Sequence, residues 1–129
     1  MISFQAFRQT DGTPIYLQII RYIQQGLAAG TIQDGDELPS RRVLSSLLAV
    51  NPNTVQKAFR LLEDEGLVTS RAGAKSYIQA APEQIAVLRR ELLETELQTM
   101  VDAARRMGLT REEAHRLLDT LYDKEGTDA

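Results

Sequence analysis

The sequence contains no cysteine, no tryptophan and a single histidine, His115. A chain without cysteine has no disulfide, no thiolate metal site and no cysteine nucleophile. A glycine-rich phosphate loop is also missing. These absences leave no recognisable catalytic constellation, so we expect a protein that is not an enzyme and that carries no metal or other cofactor.

Long apolar runs are missing as well. No stretch approaches the roughly 18 apolar residues that span a membrane, and the N-terminus has no basic segment followed by an apolar run, as a signal peptide would. We therefore expect a cytoplasmic protein without membrane partners. With 129 residues, 43% of them hydrophobic, the chain suits one small domain with an appendage.

The net charge of −3 is unevenly distributed along the chain. Residues 38–78 contain six basic and three acidic side chains, a net of +3. Residues 83–129 have a net charge of −4. A basic head on an acidic tail is compatible with binding to nucleic-acid phosphates.

Residues 51–66 are predicted to form a two-faced helix. Asn51 is a suitable N-cap, Pro52 suits the first helical position, and Gly66 suits the C-terminal end. One apolar face follows the i, i+3, i+4, i+7 spacing: Val55, Ala58, Phe59 and Leu62. A second face carries hydrogen-bond donors and no acid: Asn53, Gln56, Lys57 and Arg60. This face suits a DNA major groove, although from this helix alone a solvated surface is equally compatible.

The preceding segments predict a helix-turn-helix. Residues 1–12 are expected to hold a short strand, and a helix should run from Thr13-Pro14 to Gly30. Ser40 is expected to cap a second helix with three leucines facing inward: Leu44, Leu47 and Leu48. Only Val50 separates that helix from the helix at 51–66, which is the spacing of a tight turn.

Two strand-forming segments follow, at 67–69 and 76–78, with the sequence RAGAK between them. They predict a β-hairpin with Arg71 and Lys75 near its tip. The fold predicted for residues 1–80 is therefore a winged helix-turn-helix, mostly α with a small β-hairpin.

Residues 81–129 are predicted to form a tail of two antiparallel helices. The first spans 83–107 and ends at Gly108, and Thr110 with Glu113 forms a capping box for the second. Their apolar bands are too broad to cover each other, so we expect a second copy of the chain to cover them. The predicted dimerisation residues are Leu88, Leu92, Leu97, Met100, Val101, Ala104, Leu117, Leu118 and Leu121.

The stretch LPSRRVLSSLLAVNPNTVQKAFRLLEDEGLVTSRAG closely resembles the GntR family of bacterial transcription regulators. The PIYLQI helix start, the NPNTV sequence and the short tail are similar to its YtrA subfamily. The resemblance implies a homodimer on a palindromic DNA operator, usually a repressor and often of transporter genes, without the large effector pocket of other branches. Release from DNA would then need an effector or partner that shifts the two heads.

One segment departs from the family pattern. The family wing usually reads Gly-x-Gly-Thr, whereas this chain has Gly73-Ala74-Lys75-Ser76. A glycine lets the backbone approach the minor groove closely. Because Lys75 stands where the family has its second glycine, the sequence does not decide whether this wing enters the groove. Lys75 instead suits a phosphate contact.

The predicted DNA contacts are Arg41, Arg42, Asn51, Asn53, Thr54, Gln56, Lys57, Arg60, Arg71 and Lys75. Asn and Gln can read adenine, and Arg and Lys can bind guanine or phosphate. Arg42 occupies the position of a DNA-contacting arginine in the family. For Asn51 a role as the helix cap alone is equally compatible with the sequence, and for Thr54 support of the turn is the alternative. Residues 63–65 are all acidic but point in different directions on a helix, which argues against a metal site.

Two other functions remain open on the sequence. A winged helix can also serve as a protein–protein interaction module, and the tail could form part of a small-ligand sensor. The first alternative leaves the acid-free helix face without a role. The second requires a polar pocket, which two short helices can hardly form except across a dimer interface.

Overall fold

The computed structural model describes residues 1–71 and 75–127. This part of the chain forms five helices and three strands: α1 Ile15–Ala29, β1 Glu37–Leu38, α2 Arg41–Leu48, α3 Pro52–Asp64, β2 Val68–Arg71, β3 Lys75–Ile78, α4 Pro82–Arg106 and α5 Arg111–Thr127. The chain divides into two compact units, Met1–Arg90 and Glu91–Ala129. The division falls inside α4, ten residues beyond the predicted boundary at 80.

The N-terminal segment packs on α1 without forming the expected strand. Its Ile2 N–H donates to the carbonyl of Glu37 at 2.8 Å, and Phe4 and Phe7 lie against the ring of Tyr22. The segment therefore belongs to the core through its side chains rather than through a regular ladder.

Capping side chains fix the starts of α2 and α3, as predicted. Ser40 Oγ accepts from the Val43 N–H at 3.1 Å, and Asn51 Oδ1 accepts from the Asn53 N–H at 2.8 Å. Each bond satisfies a first-turn donor that has no partner within its helix. Ala49 takes the left-handed conformation between the helices, with φ 55°.

The prediction that Leu47 faces inward is wrong, because its side chain is 67% exposed. The inner face of α2 instead follows Arg41, Leu44, Ser45 and Leu48, which repeat at i, i+3, i+4 and i+7. Leu44 is fully buried there, and the hydroxyl of Ser45 donates to the carbonyl of Arg42. Because the polar Ser45 is part of the buried stripe, the inner face of α2 differs from the one that the leucines alone indicated.

The predicted hairpin forms, but it is part of a three-stranded antiparallel sheet with the order β1-β3-β2. The strand β1 was not predicted. It has only two residues, and Glu37 and Leu38 pair with Tyr77 and Ser76 about forty positions later. No local periodicity marks such a strand, since its pairing depends on distant residues.

The second unit contains the end of α4 and all of α5. The predicted capping box is confirmed: the Thr110 N–H donates to Glu113 Oε1, and the Glu113 N–H donates to Thr110 Oγ1, both at 3.1 Å. Direct contacts between α4 and α5 are few. Several of their large apolar side chains stay exposed, among them Leu97, Met100, Leu117 and Leu121.

Leu88 lies elsewhere than predicted. It is only 8% exposed in the single chain and belongs to the first unit. A side chain that is already buried offers little surface to a second copy, which argues against Leu88 as a dimerisation residue.

Among the described helices, none is long and apolar enough to cross a membrane.

Candidate nucleic-acid interface

The outer face of α3 is polar along its first three turns. The predicted donors Asn53, Gln56, Lys57 and Arg60 are all exposed. The opposite face is completely buried: Val55, Ala58, Phe59 and Leu62 have no exposed surface. The contrast fixes the rotation of the helix, because any turn about its axis would bury a charge or expose the core.

Asp64 ends this polar face. It is exposed and follows Arg60 by four residues and Lys57 by seven, which places it on the same side of α3. A carboxylate there repels phosphate, so the part of α3 suited to DNA runs from its N-terminus to Arg60.

Lys57 contacts an aromatic ring that the sequence did not single out. Its Nζ lies 4.1 Å from the centre of the Tyr16 ring on α1. Tyr16 is only half-buried, so α1 contributes to the surface beside the reading face. Tyr16 follows the apolar spacing of α1, which is typical of core residues, so the helical pattern does not indicate this contact.

Asn51 and Thr54 lie at the start of α3 in more restrained settings. The side chain of Asn51 caps the helix, which uses its amide oxygen. Its amide nitrogen is left as the group with which it can donate to DNA. Thr54 is half-buried, in keeping with a role beside the turn.

The two arginines at the start of α2 have different surroundings. Arg41 lies on the inner face, with its Nη2 3.3 Å from Glu63 Oε1 and its guanidinium over the Phe59 ring. Arg42 is exposed. Both arginines were predicted to contact DNA, but this geometry favours a structural role for Arg41 and leaves Arg42 as the accessible cation.

The wing presents two further cations at the same end of the sheet. Arg71 and Lys75 are direct partners across β2 and β3, and both are exposed. Arg71 also stacks over the ring of Tyr77, 4.6 Å from its centre. The predicted turn, including Gly73, lies outside the described residues. The pairing places two positive charges side by side, which suits a phosphate backbone.

The acidic residues at the end of α3 have separate partners. Glu63 binds Arg41 and also accepts from the Ser70 hydroxyl at 2.7 Å, and Glu65 accepts from Gln24 Nε2 at 3.1 Å. In the part of the chain that the structure describes, no group of three or more metal-ligating side chains converges.

The second unit exposes several of the apolar residues that were predicted to form a dimer, whereas Leu92, Ala104 and Leu118 are half-buried. Leu97, Met100, Leu117 and Leu121 are each between 41 and 53% exposed. A cleft of about 610 Å³ lies where α4 ends and α5 begins. Its lining includes Val101, Ala104 and His115. Exposed apolar side chains at this density are typical of a protein–protein contact surface.

The first unit has two short helices joined by a tight turn, a third helix packed against α3, and a basic hairpin. These features define it as a winged helix-turn-helix domain of the DNA-binding class. Comparison with known proteins agrees. Residues 15–78 match the sequence model of the family described as "Bacterial regulatory proteins, gntR family". The chain belongs to this GntR family of transcription regulators, as its motifs predicted.

The similarity extends into the tail. The HTH-type transcriptional repressor YtrA of Bacillus subtilis is 34% identical over 106 residues, which cover 81% of this chain and 82% of that protein. A GntR family transcriptional regulator from Listeria monocytogenes superposes with a TM-score of 0.79 at 28% identity, covering 87% of this chain and 98% of its own. YtrA from Sulfolobus acidocaldarius is 31% identical with a TM-score of 0.56, covering 78% and 99%.

Proposed function

We propose that the protein is a homodimeric repressor that binds a palindromic DNA operator. Each recognition helix, α3, enters a major groove with its first three turns. Gln56 and Asn53 read base edges, while Lys57 and Arg60 bind at or beside phosphate. Arg42 and the paired wing cations, Arg71 and Lys75, hold the backbone on either side.

The observation that carries this proposal is the composition of the outer face of α3. Four exposed donors stand there, residues 52–62 contain no acid, and the opposite face has no exposed surface. A helix that was merely solvated would have no reason to exclude carboxylates over three turns. Exclusion of negative charge is what binding to a polyanion requires.

Dimerisation through the tail supplies the symmetry of the proposed operator. The exposed side chains of Leu97, Met100, Leu117 and Leu121 support it, since an isolated chain leaves them in water. Two heads joined in this way would place their recognition helices about 34 Å apart, one turn of DNA. The relative from B. subtilis is named a repressor, which supports promoter occlusion as the mechanism.

We further propose that the protein acts in the cytoplasm, has no enzymatic activity and regulates transporter genes. An effector or partner that changes the spacing of the two heads would release the DNA. The cleft at the α4–α5 turn is the candidate site in the tail for such a molecule.

Selection of bound sites from random-sequence DNA tests the proposal. A homodimer should enrich an inverted repeat whose half-sites are centred about 10 base pairs apart or a multiple of that. Recovery of no motif would favour a winged helix that binds another protein. A single unrepeated half-site would contradict the dimer while leaving the recognition helix in its role.

A further inference from the structure

Three elements of the winged helix meet at one carboxylate oxygen. Glu63 Oε1, near the end of α3, accepts from Arg41 Nη2 of α2 at 3.3 Å and from the Ser70 hydroxyl of β2 at 2.7 Å. We call these three residues the Glu63 cluster. The Glu63 and Arg41 side chains are 34% and 27% exposed, so the contact is partly shielded from water.

We propose that Glu63 is a positioning residue that sets the wing against the recognition helix and thereby controls the DNA contact made by Arg71. This inference rests on the proposed DNA-binding function. Glu63 itself touches no DNA in it. It acts through Ser70, the neighbour of Arg71 in β2.

The path from Glu63 to the wing is short. The chain turns between α3 and β2 at Gly66, whose φ is 80°, and only six residues separate Glu63 from Ser70. Ser70 faces Ser76 across the hairpin, with 3.5 Å between their hydroxyl oxygens. Because Ser76 is 3% exposed, the bond to Glu63 connects the recognition helix to the buried side of both wing strands.

The same carboxylate also fixes the start of α2. Arg41 lies on the inner face of that helix with its guanidinium 5.3 Å from the centre of the Phe59 ring. Loss of the carboxylate would leave a half-buried cation without its anion. Arg42 follows Arg41 directly in α2. The Glu63 cluster therefore connects α3 to the two elements that carry the proposed phosphate-binding cations, α2 with Arg42 and β2 with Arg71.

Charge gives the proposal a sign that can be measured. Removal of an acid beside a DNA surface strengthens binding to a polyanion when nothing else changes. A positioning role for Glu63 predicts the opposite result. Asp64, the next residue, carries the same charge and is exposed, which makes it the matched control.

The test measures the affinity of the full-length protein for the tightest duplex recovered by selection from random DNA. Glu63→Ala should weaken binding by about tenfold, the scale of one hydrogen bond to a charged group. Ser70→Ala, which removes only a hydroxyl, should weaken it in the same direction by a smaller factor. Asp64→Ala should leave affinity unchanged or raise it.

Combination with Arg71→Ala separates positioning from simple loss of stability. Without the Arg71 side chain, Glu63→Ala should cost much less affinity than it does alone, because the wing contact is already gone. If Glu63→Ala does not fold, Ser70→Ala can be compared in the same way, alone and combined with Arg71→Ala. The Ser70→Ala substitution leaves the charge of the Glu63 cluster unchanged.

Two results overturn the inference. One is binding by Glu63→Ala as tight as that of Asp64→Ala, and another is a full, additive loss in the Arg71→Ala background. In both cases the unaltered protein still binds, so only the positioning role is lost. If the unaltered protein binds no duplex at all, the proposed function itself fails.

Discussion

The ammonium group of Lys57 lies 4.1 Å from the centre of the Tyr16 ring, which connects the recognition helix to α1. A cation–π contact at an exposed site contributes about 0.5–1 kcal/mol. The contact also holds the ammonium on the outer surface of α3. There it acts as a point charge and is not directed at a single base. Lys57 is therefore suited to phosphate.

Gln56 and Lys57 are adjacent, but their substitutions should affect DNA binding differently. Gln56→Ala should relax the preference at one base position by about 1–3 kcal/mol, because a side-chain amide pairs with a particular base edge. Lys57→Ala should weaken all sequences alike and reduce the salt slope by about one unit. Affinities for the selected site and its single-base variants at several salt concentrations test both. Equal effects of the two substitutions would refute the assigned roles.

Leu97 provides the test of the tail as a dimer interface. Its side chain is 49% exposed in the single chain, so Leu97→Asp should not disturb the fold of the protomer. It should abolish dimers in sedimentation equilibrium and weaken binding to the inverted repeat. Glu96→Ala, at the neighbouring exposed position, is the matched control and should remain dimeric. A stable Leu97→Asp dimer would place the interface elsewhere.

Glu113 should make the start of α5 sensitive to acid. Hydrogen bonds from the Thr110 backbone and hydroxyl lower the pKa of the Glu113 carboxyl below its ordinary value. The folded carboxylate therefore stabilises the helix start above the unfolded pKa, and this contribution is lost as pH falls through the lower, folded pKa. An NMR titration should find the depressed pKa. Glu113→Gln should remove this pH dependence, and an ordinary pKa in the folded protein would contradict the capping box.

Gly26 should resist the substitution that normally stabilises a helix. It lies inside α1, where exchange of glycine for alanine usually gains about 0.5–1 kcal/mol. Here an added Cβ would lie 2.7 Å from Ile32 Cγ1 and still closer to its Cδ1, and Ile32 is buried. Gly26→Ala should therefore lower the midpoint of urea unfolding, whereas Gln25→Ala, on the exposed side, should not. A raised midpoint for Gly26→Ala would show that Ile32 moves aside freely.

Features that depend on neighbouring residues could be predicted from the sequence. The caps at Ser40, Asn51 and Thr110 and the buried stripe of α3 follow from positions within a few residues of each other. The family motif, which combines several such features, correctly indicated the winged helix.

Features that depend on distant pairs could not be predicted in this way. The strand β1 exists because Glu37 and Leu38 meet β3. Arg41 was grouped with Arg42, although it faces Glu63 more than twenty residues later. The only local sign that Arg41 faces inward was its place at the first position of the inner stripe of α2. A charged side chain at such a position is usually predicted to be exposed.

The most direct test of the central claim is the salt dependence of DNA binding by the unaltered protein. A labelled duplex carrying the selected site is titrated with protein at ionic strengths from low to physiological. Six or more phosphate contacts in a dimer predict that affinity falls by about a thousandfold or more between 50 and 200 mM salt. Affinity that is indifferent to salt, or absent at every concentration, would contradict a DNA-binding role for the polar face of α3.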